Sequence, residues 1–391
     1  MKRRLLLILF FIFSSSLLMQ GEQTAQCVSH LRISLLTCSE GSEDVAAAFG
    51  HSAIRIVDTL NGSDVVYNYG TYNFYEPDFL LKFLRGDLYY LLSTNSFTNF
   101  TRTYSRSGRG VVEREFQIGE EDKLQLQHLL KDNAKPENRE YLYDFLLDNC
   151  ATRIRDIFNT EQYHYKDSLL ESTYRKHLRE LLGDKYWLNF GIDLILGARV
   201  DRQITSQQEM FLPKYLELNL LEYTNIESGS SLLSQTAKEI LPRSSEPSSQ
   251  FVKKVFSPFS VFIILLFLYL IILYYCTNKV RFHKIFSSLF YVILSIGGAI
   301  LLFMWFGTNH IWTKVNWNLL WMNPLFLLLL FIGRGKIRQV LSAVLITGVV
   351  LSLLGSLIIP QEFNTAFYPI FILELFLLLP EVVIKHRIIE Y

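Results

Sequence analysis

The chain has 391 residues, of which half are hydrophobic and 19% are charged. This length exceeds one average domain, and a mean hydropathy of +0.21 argues against a wholly soluble or disordered protein. The 38 Lys and Arg residues are matched by 37 Asp and Glu residues, so no basic excess exists to bind a nucleic-acid backbone. Four cysteines are too few for a disulfide framework. A membrane enzyme or a membrane-tethered binding module remains.

The N-terminus has the pattern of a secretory signal. The basic residues Lys2-Arg3-Arg4 precede an apolar run from Leu5 to Phe13, and serines follow the run. Residues 1–25 are therefore predicted to be a signal peptide, with an uncleaved anchor as the alternative. Both interpretations export the segment that follows.

The rest of the chain divides into a soluble part and a membrane part. Residues 27–245 have mixed charge and no long apolar run, residues 246–257 are predicted to be a linker, and residues 258–391 are strongly apolar. The apolar runs are at 258–276, 285–306, 319–332, 340–359 and 367–384. Because a span needs about 20 residues, they predict about five spans. Trp317 and Trp321 are expected to extend the short third run as interface anchors.

The basic residues predict how the membrane part is oriented. If residues 27–257 lie outside, the segments 277–284 and 333–338, which are rich in Lys and Arg, lie in the cytoplasm, as does the C-terminus. The opposite loops, 307–318 and 360–368, contain a single lysine between them. An exported domain followed by about five spans is the consistent arrangement.

His51 stands at the start of a predicted β-hairpin in the exported domain. The residues after Gly50 have the pattern of a strand, Asn61-Gly62 indicates a turn, and residues 65–69 return as the second strand. The hairpin places residues around 68 to 72 near His51. Asn68 is the candidate neighbour, although the sequence leaves the register open.

Cys150 is predicted to lie in the first turn of a helix. Asp148 or Asn149 is a good N-cap, and Ile154 and Phe158 fall on the same helical face as Cys150. The partial positive charge of a helix N-terminus favours a thiolate, and its N–H groups can bind an oxyanion. A histidine across from Cys150 would complete a Cys–His nucleophile pair.

Structural roles are the alternative for both residues. A lone cysteine near a helix start is usually a buried small hydrophobe, and a lone histidine in a strand is usually structural. However, Cys150 is the only cysteine deep inside the exported domain. Cys27 and Cys38 lie together at the start of that domain, where an oxidising compartment would allow them to form a disulfide.

Five short segments of the exported domain carry a family resemblance. They are 50–55 (GHSAIR), 67–71 (YNYGT), 82–86 (KFLRG), 136–139 (PENR) and 148–153 (DNCATR). In this order they resemble the Lnb family of membrane lipoprotein N-acyltransferases, and the membrane half resembles it more loosely. The resemblance implies an α+β fold: a permuted papain-like (NlpC-like) thiol domain, with His before Cys in the chain, followed by an α-helical membrane domain of about five spans.

The resemblance also implies an activity. Cys150 would be the nucleophile, His51 the base and Asn68 the group that orients the imidazole. An acyl chain would pass from a membrane phospholipid, through a thioester on Cys150, to the N-terminal cysteine amine of a diacylglyceryl lipoprotein. The enzyme would lie in the bacterial cytoplasmic (inner) membrane with its thiol domain in the periplasm. The sequence has no metal-ligand spacing and no nucleotide fingerprint, so no cofactor is expected.

Four further residues are expected to contact substrate. Asn149 and Arg153 flank the thiol, and His310 and Asn323 lie in the membrane half. A solvated loop histidine is the alternative for His310, and satisfaction of backbone broken by the following proline is the alternative for Asn323. Glu374 is an intramembrane carboxylate, for which a functional and a paired structural role are both open.

Two other functions fit the same residues. A cell-wall cysteine peptidase or amidase of the same thiol fold would need its spans only as an anchor, and about five spans are excessive for that purpose. A non-enzymatic membrane sensor or scaffold would not need both His51 and Cys150. The sequence therefore favours the lipid-dependent acyltransferase.

Overall fold

A computed structural model describes residues 30–73, 75, 77–244 and 250–383. The protein consists of an N-terminal α+β part built on a sheet and a C-terminal helical part. The predicted signal segment, Cys27 and most of the Ser-rich stretch before residue 250 lie outside the described residues. The proposed pairing of Cys27 with Cys38 therefore stays a prediction.

The N-terminal part is organised around a seven-stranded antiparallel sheet with the strand order β11-β5-β1-β2-β3-β4-β6. Two further pairs, β7 with β10 and β8 with β9, lie outside it. The strands are β1 (Leu31–Cys38), β2 (His51–Asp58), β3 (Ser63–Thr71), β4 (Tyr89–Ser96), β5 (Val111–Glu115), β6 (Glu140–Leu142), β7 (Tyr163–His164), β8 (Leu169–Thr173), β9 (Gln203–Thr205), β10 (Thr224–Asn225) and β11 (Lys238–Leu241).

The predicted hairpin is confirmed, because β2 and β3 pair across the Asn61-Gly62 turn with Ile54 opposite Tyr67. Side chains from both faces of the central strands are buried, as expected for a sheet that helices cover on both sides. Ile54 packs into the larger core on one face, whereas Ala53 packs into a smaller cluster on the other. The hairpin is therefore held firmly on both faces.

The helices of this part are α1 (Phe79–Arg85), α2 (Phe97–Arg106), α3 (Glu120–Asn133), α4 (Cys150–Phe158), α5 (Tyr174–Leu182), α6 (Tyr186–Ile195), α7 (Ser206–Glu209) and α8 (Pro213–Leu220). Helices α3, α4 and α8 supply residues to the larger core of the sheet. Helix α4 lies against β2, as the burial of Ile154 and Phe158 indicates. Cys150 and His51 thereby start neighbouring elements.

The C-terminal part is helical. Its helices are α9 (Gln250–Val255), α10 (Pro258–Tyr275), α11 (Lys279–Phe306), α12 (Leu328–Phe331), α13 (Lys336–Leu354) and α14 (Phe367–Val383). Within the described residues, α10, α11 and α13 are long and apolar enough to cross a membrane. Helix α14 contains 17 described residues and the third apolar run contains no continuous long helix. Three of the five expected spans are thus supported as helices, and the count of five stays a prediction.

The third apolar run is broken into short helices and lies in a notch between longer ones. A Cβ atom at Gly298 of α11 would stand 2.5 Å from the carbonyl oxygen of Met322, and one at Gly348 of α13 would stand 2.2 Å from that of Leu320. Irregular backbone is tolerated at membrane depth where protein surrounds it. Trp321 is fully buried there, so its expected role as an interface anchor is wrong.

A buried ion cluster joins the two parts of the chain. Arg175 of α5 is fully buried and pairs with Asp193 at 2.8 Å and Asp201 at 2.7 Å. Asp193 also accepts a hydrogen bond from the side chain of Asn364, which lies just before α14. Arg179 of α5 pairs at 3.0 Å with Glu362 in the same segment.

The loop after α11 contacts the sheet domain as well. The Asn309 N–H donates to the carbonyl of Arg85 at 2.7 Å, and the Trp312 indole N–H donates to both carboxylate oxygens of Asp144 at 2.9 and 3.1 Å. The Asn316 amide donates to two carbonyls at the end of α6. The loops at 307–318 and 360–368 thus lie on the side of the sheet domain.

We expect the inner and outer loops to differ in access to a membrane-impermeant thiol reagent. In a chain whose natural cysteines are replaced, Thr365→Cys should be labelled from outside intact cells, since this exposed residue lies beside the sheet domain. Arg334→Cys, also exposed, should be labelled only after the cells are permeabilised. Labelling of Arg334→Cys in intact cells would reverse the assigned topology.

Candidate active site

Cys150 is the first residue of α4, as predicted, and Asn149 is the N-cap. The Asn149 side chain accepts hydrogen bonds from the N–H groups of Ala151 and Thr152. The Thr152 hydroxyl accepts a hydrogen bond from the backbone N–H of Asn149, which completes a capping box. This arrangement fixes the first turn of the helix. The Cys150 side chain is half-buried and packs beside the larger core of the sheet.

His51 is the first residue of β2 and faces Cys150. The imidazole Nε2 is hydrogen-bonded to Oδ1 of Asn68 on the paired strand, as the hairpin predicted. The imidazole lies close enough to the Cys150 thiol for the charge of each group to shift the pKa of the other. Since Nε2 is engaged by Asn68, Nδ1 is the ring nitrogen left for the sulfur. The structure therefore brings all three predicted catalytic residues together in one chain of contacts.

Gly70 leaves a small hollow between these groups. A Cβ atom at this position would lie 3.6 Å from the Cβ of Cys150 and 3.9 Å from Cε1 of His51. The φ angle of Gly70 is +87°, a conformation that residues with a side chain rarely adopt. Glycine at position 70 thus allows the positive φ angle and keeps the space beside the thiol open.

The contact between sulfur and imidazole changes the ionisation of both. Burial opposes the charge on Cys150, but the charge and hydrogen bond of His51 outweigh it and hold the thiol pKa below its ordinary value. Burial likewise opposes the charge on His51, but the Cys150 thiolate raises the imidazole pKa above its ordinary value. Both shifts favour a thiolate–imidazolium pair, the reactive form of a cysteine nucleophile.

Cys38 provides a contrast within the same sheet. It is the register partner of His51 on β1, but its side chain is 1% exposed and packs in the smaller cluster with Ala53 and Val66. Burial raises the pKa of the Cys38 thiol to about 12. Cys38 is therefore an inert neutral thiol, which makes it an internal reference for Cys150.

Tyr141 was not singled out by the sequence, although it begins the stretch that leads to Cys150. Its hydroxyl would be 3.9 Å from a Cβ atom at Gly70, the same hollow that the thiol borders. Among the described residues this hydroxyl is buried without a hydrogen-bond partner. The guanidinium carbon of Arg153 lies over the Tyr141 ring, 4.1 Å from the ring centroid. A single sequence contains no signal for such an unsatisfied group, because its surroundings come from other strands.

The two expected substrate contacts beside the thiol are engaged within the protein. The Asn149 amide donates to the carbonyls of Phe145 at 2.7 Å and Phe211 at 2.9 Å, so its cap leaves no group for a substrate. The expectation that Asn149 binds substrate is therefore not supported. Arg153 forms a two-point ion pair with Asp148, which offsets the negative charge next to the helix start, and it also lines a cavity of about 600 Å³.

The two expected contacts from the membrane half lie apart from each other. His310 is hydrogen-bonded through Nε2 to the carbonyl of Phe83 at 3.0 Å, so it contacts α1 rather than standing free in solvent. The Asn323 side chain donates to Leu319 and accepts from Leu325, both backbone groups. Asn323 thus satisfies backbone next to a proline, which was the alternative interpretation.

Glu374 is fully buried in α14, and its carboxylate has no hydrogen-bond partner within residues 30–73, 75, 77–244 and 250–383. The paired structural role is therefore not supported among these residues. In the same part of the chain, no group of three or more His, Cys, Asp or Glu residues is placed to hold a metal ion.

The two halves of the chain match two models of one protein family. Residues 23–180 match the Lnb N-terminal periplasmic domain, and residues 250–387 match the Lnb transmembrane domain. The chain belongs to the Lnb family. Membership indicates an acyltransferase-like role in lipoprotein biosynthesis for a multi-pass protein of the inner membrane. No curated protein and no solved structure matches the chain.

We expect Cys150 to be alkylated well below the pH at which an ordinary thiol reacts, about 8.5. Because its pKa is lowered, the rate should remain high at neutral pH and fall only as the pH drops through that lowered value. Peptide-resolved mass spectrometry after a timed pulse of iodoacetamide follows each cysteine separately. Cys38 should stay unmodified over the same pH range.

His51→Ala is the matched control for this measurement. Removing the imidazole leaves the burial that opposes thiolate formation, so the pH profile of Cys150 should move to higher pH. An unchanged profile in this variant, or an ordinary thiol profile in the natural chain, would contradict the activated nucleophile.

Proposed function

We propose that this protein is a lipoprotein N-acyltransferase that moves an acyl chain from a membrane phospholipid to the N-terminal cysteine amine of a diacylglyceryl lipoprotein. The observation that carries the proposal is the contact chain Cys150–His51–Asn68 in a domain that is hydrogen-bonded to the loops of membrane helices. Such a nucleophile can reach substrates that never leave the bilayer.

In the first half-reaction the Cys150 thiolate attacks the carbonyl carbon of a phospholipid ester. A carbon–sulfur bond forms, the ester carbon–oxygen bond breaks, and the His51 imidazolium gives its proton to the departing oxygen of the lysophospholipid. Asn149 already occupies the N–H groups of Ala151 and Thr152, so the backbone N–H of Cys150 is the donor of the first turn that we assign to the oxyanion.

In the second half-reaction the lipoprotein amine attacks the thioester carbonyl. The carbon–nitrogen bond forms, the carbon–sulfur bond breaks, and the amine proton passes to His51, which restores the starting ion pair. Asn68 holds the imidazole in one orientation through both steps, since its Oδ1 is hydrogen-bonded to Nε2 and leaves Nδ1 for the sulfur. No cofactor enters either step.

The order of the elements supports a permuted papain-like fold for the thiol domain. The strand that carries His51 precedes the helix that starts at Cys150, and this helix packs across that strand. We assign Arg153 and His310 to substrate contacts. The first lines the cavity beside α4 and the second lies against α1 near the membrane helices.

The extensive contact with the membrane half weighs against a cell-wall peptidase. An anchor needs no specific bonds to the catalytic loop, whereas the Trp312 indole is bonded to Asp144, six residues before the thiol. The close approach of Cys150 and His51 weighs against a non-enzymatic scaffold, since a degenerate site has no need for the pair. The acyltransferase accounts for both features.

The decisive variants remove the nucleophile, its base and the orienting amide. Cys150→Ala should abolish N-acylation, and His51→Ala should lower it roughly 100-fold or more, the usual contribution of a general base. Cys150→Ser should also be nearly inactive, because a hydroxyl is much the weaker nucleophile. Asn68→Ala should cost less than His51→Ala. The measurement is the acyl count on a lipoprotein N-terminus, by mass spectrometry, in cells that rely on this enzyme alone.

Cys276→Ser is the control, since this cysteine follows α10 at a helix end and has no part in the proposed chemistry. It should retain full activity. Complete N-acylation in Cys150→Ala cells would overturn the mechanism. Accumulation of uncleaved cell-wall peptides in the same cells would favour the peptidase.

A further inference from the structure

Helix α1 (Phe79–Arg85) is an apolar helix with no buried residue. Four of its seven side chains are large, hydrophobic and exposed, with Leu80 at 66% and Phe83 at 49%. A water-soluble surface rarely gathers such residues in two helical turns, and an exposed apolar patch of this kind indicates an interaction surface.

Hydrogen bonds fix this helix at the end of a membrane span. The backbone N–H of Asn309 donates to the carbonyl of Arg85, and His310 is bonded to the carbonyl of Phe83. Both partners follow within four residues of Phe306, the last residue of α11. Trp305 and Phe306 stack at that end, as aromatic residues do at a bilayer surface. The apolar residues of α1 therefore lie at the level where hydrocarbon meets headgroups.

A row of aromatic rings leads from α1 toward the thiol. The centroid distances are 6.4 Å from Phe83 to Phe79, 5.8 Å from Phe79 to Tyr72, 5.1 Å from Tyr72 to Tyr90 and 4.0 Å from Tyr90 to Tyr143. Tyr90 and Tyr143 pack on the same apolar core as Cys150. The row thus runs from the membrane-facing helix to the apolar core beside which Cys150 packs.

We propose that α1 is inserted in the outer surface of the bilayer and that the acyl chain of the donor phospholipid passes along this row of rings to Cys150. The first half of this inference stands on exposure and hydrogen bonding alone, and the second half rests on the proposed function. Rigid rings offer an apolar path to a chain that would otherwise have to cross water. Phospholipid is the occupant because it is the apolar partner present at a span end.

Insertion can be measured without any activity. A nitroxide is attached to Leu80→Cys or, as the control, to Leu60→Cys in a Cys150→Ala chain without other cysteines, in vesicles of phosphatidylethanolamine and phosphatidylglycerol. Leu60 is 76% exposed in the β2–β3 turn, at the far end of the hairpin from His51. The label at Leu80 should be relaxed more by oxygen than by a water-soluble nickel chelate, and the label at Leu60 the reverse. A label at Leu80 that the chelate relaxes more strongly would overturn the insertion.

The acyl path is tested with two donors. In the full chain, Leu80→Glu with Leu81→Glu should lower acylation of Cys150 by phospholipid vesicles about tenfold or more, because charged groups oppose insertion of an interfacial helix. Acylation by soluble p-nitrophenyl acetate should stay unchanged. Leu60→Glu should affect neither donor.

The remaining outcomes separate the two proposals. Equal rates with vesicles in the natural chain and the α1 variant, or an equal loss with both donors, would overturn the path along α1. If neither donor acylates Cys150 in the natural chain, the proposed function fails, while the nitroxide measurement still decides the position of α1.

A second inference follows from the unpaired hydroxyl of Tyr141. This buried group and the Cys150 side chain border the same hollow at Gly70, each less than 4 Å from the position of an added Cβ atom. We infer that Tyr141 donates a hydrogen bond to the oxyanion that forms when the thiolate attacks. A buried donor without a partner lowers the barrier when negative charge develops on an oxygen within its reach. This inference also rests on the proposed function.

Tyr141→Phe separates catalysis from structure. Acylation of Cys150 by p-nitrophenyl acetate should slow roughly 100-fold, as for loss of one oxyanion donor. Alkylation by iodoacetamide, which forms no oxyanion, should keep its rate and pH profile. Unchanged acylation, or an equal loss in both reactions, would overturn the role of the hydroxyl. Absence of acylation in the natural chain would instead count against the proposed function.

Discussion

The fully buried guanidinium of Arg175 is the centre of the ion cluster through which the sheet domain contacts the segment before α14. It pairs with Asp193 and Asp201 and donates to the carbonyls of Leu196 and Gly197. Removing one partner of such a buried pair typically costs about 3–5 kcal/mol, because the other charge stays desolvated. Asp193 extends the cluster to Asn364. The contact between the sheet domain and the segment before α14 depends on this junction.

Two cysteines near His51 show how strongly position decides chemistry. Cys150 stands at a capped helix start beside the imidazole, which stabilises its thiolate. Cys38 pairs with His51 in the strand register but is enclosed in the smaller core cluster, where burial keeps its thiol neutral. The two thiols therefore differ because one has a charged partner at a capped helix start and the other is enclosed in the core.

Local patterns predicted the parts of the site that depend on neighbours in sequence. The Asn-Gly turn predicted the hairpin and made Asn68 the candidate neighbour of His51, and the polar residues before Cys150 predicted the cap. The sequence did not predict features that depend on distant partners. Glycines of two other helices let the backbone of the third apolar run approach closely. The carbonyl of Phe211 accepts a hydrogen bond from the side-chain amide of Asn149, the helix cap. Such contacts arise only when the elements pack.

The bond between Trp312 and Asp144 has a consequence for the order in which the protein matures. Asp144 also accepts from the N–H groups of Leu146 and Leu147, so one carboxylate organises the loop that leads to Cys150. The indole that completes this arrangement lies beyond two membrane helices in the chain. The loop is therefore synthesised long before its last partner. The bond from Trp312 to Asp144 can form only after α10 and α11 have been made, so the surroundings of Cys150 are completed late in the assembly of the protein.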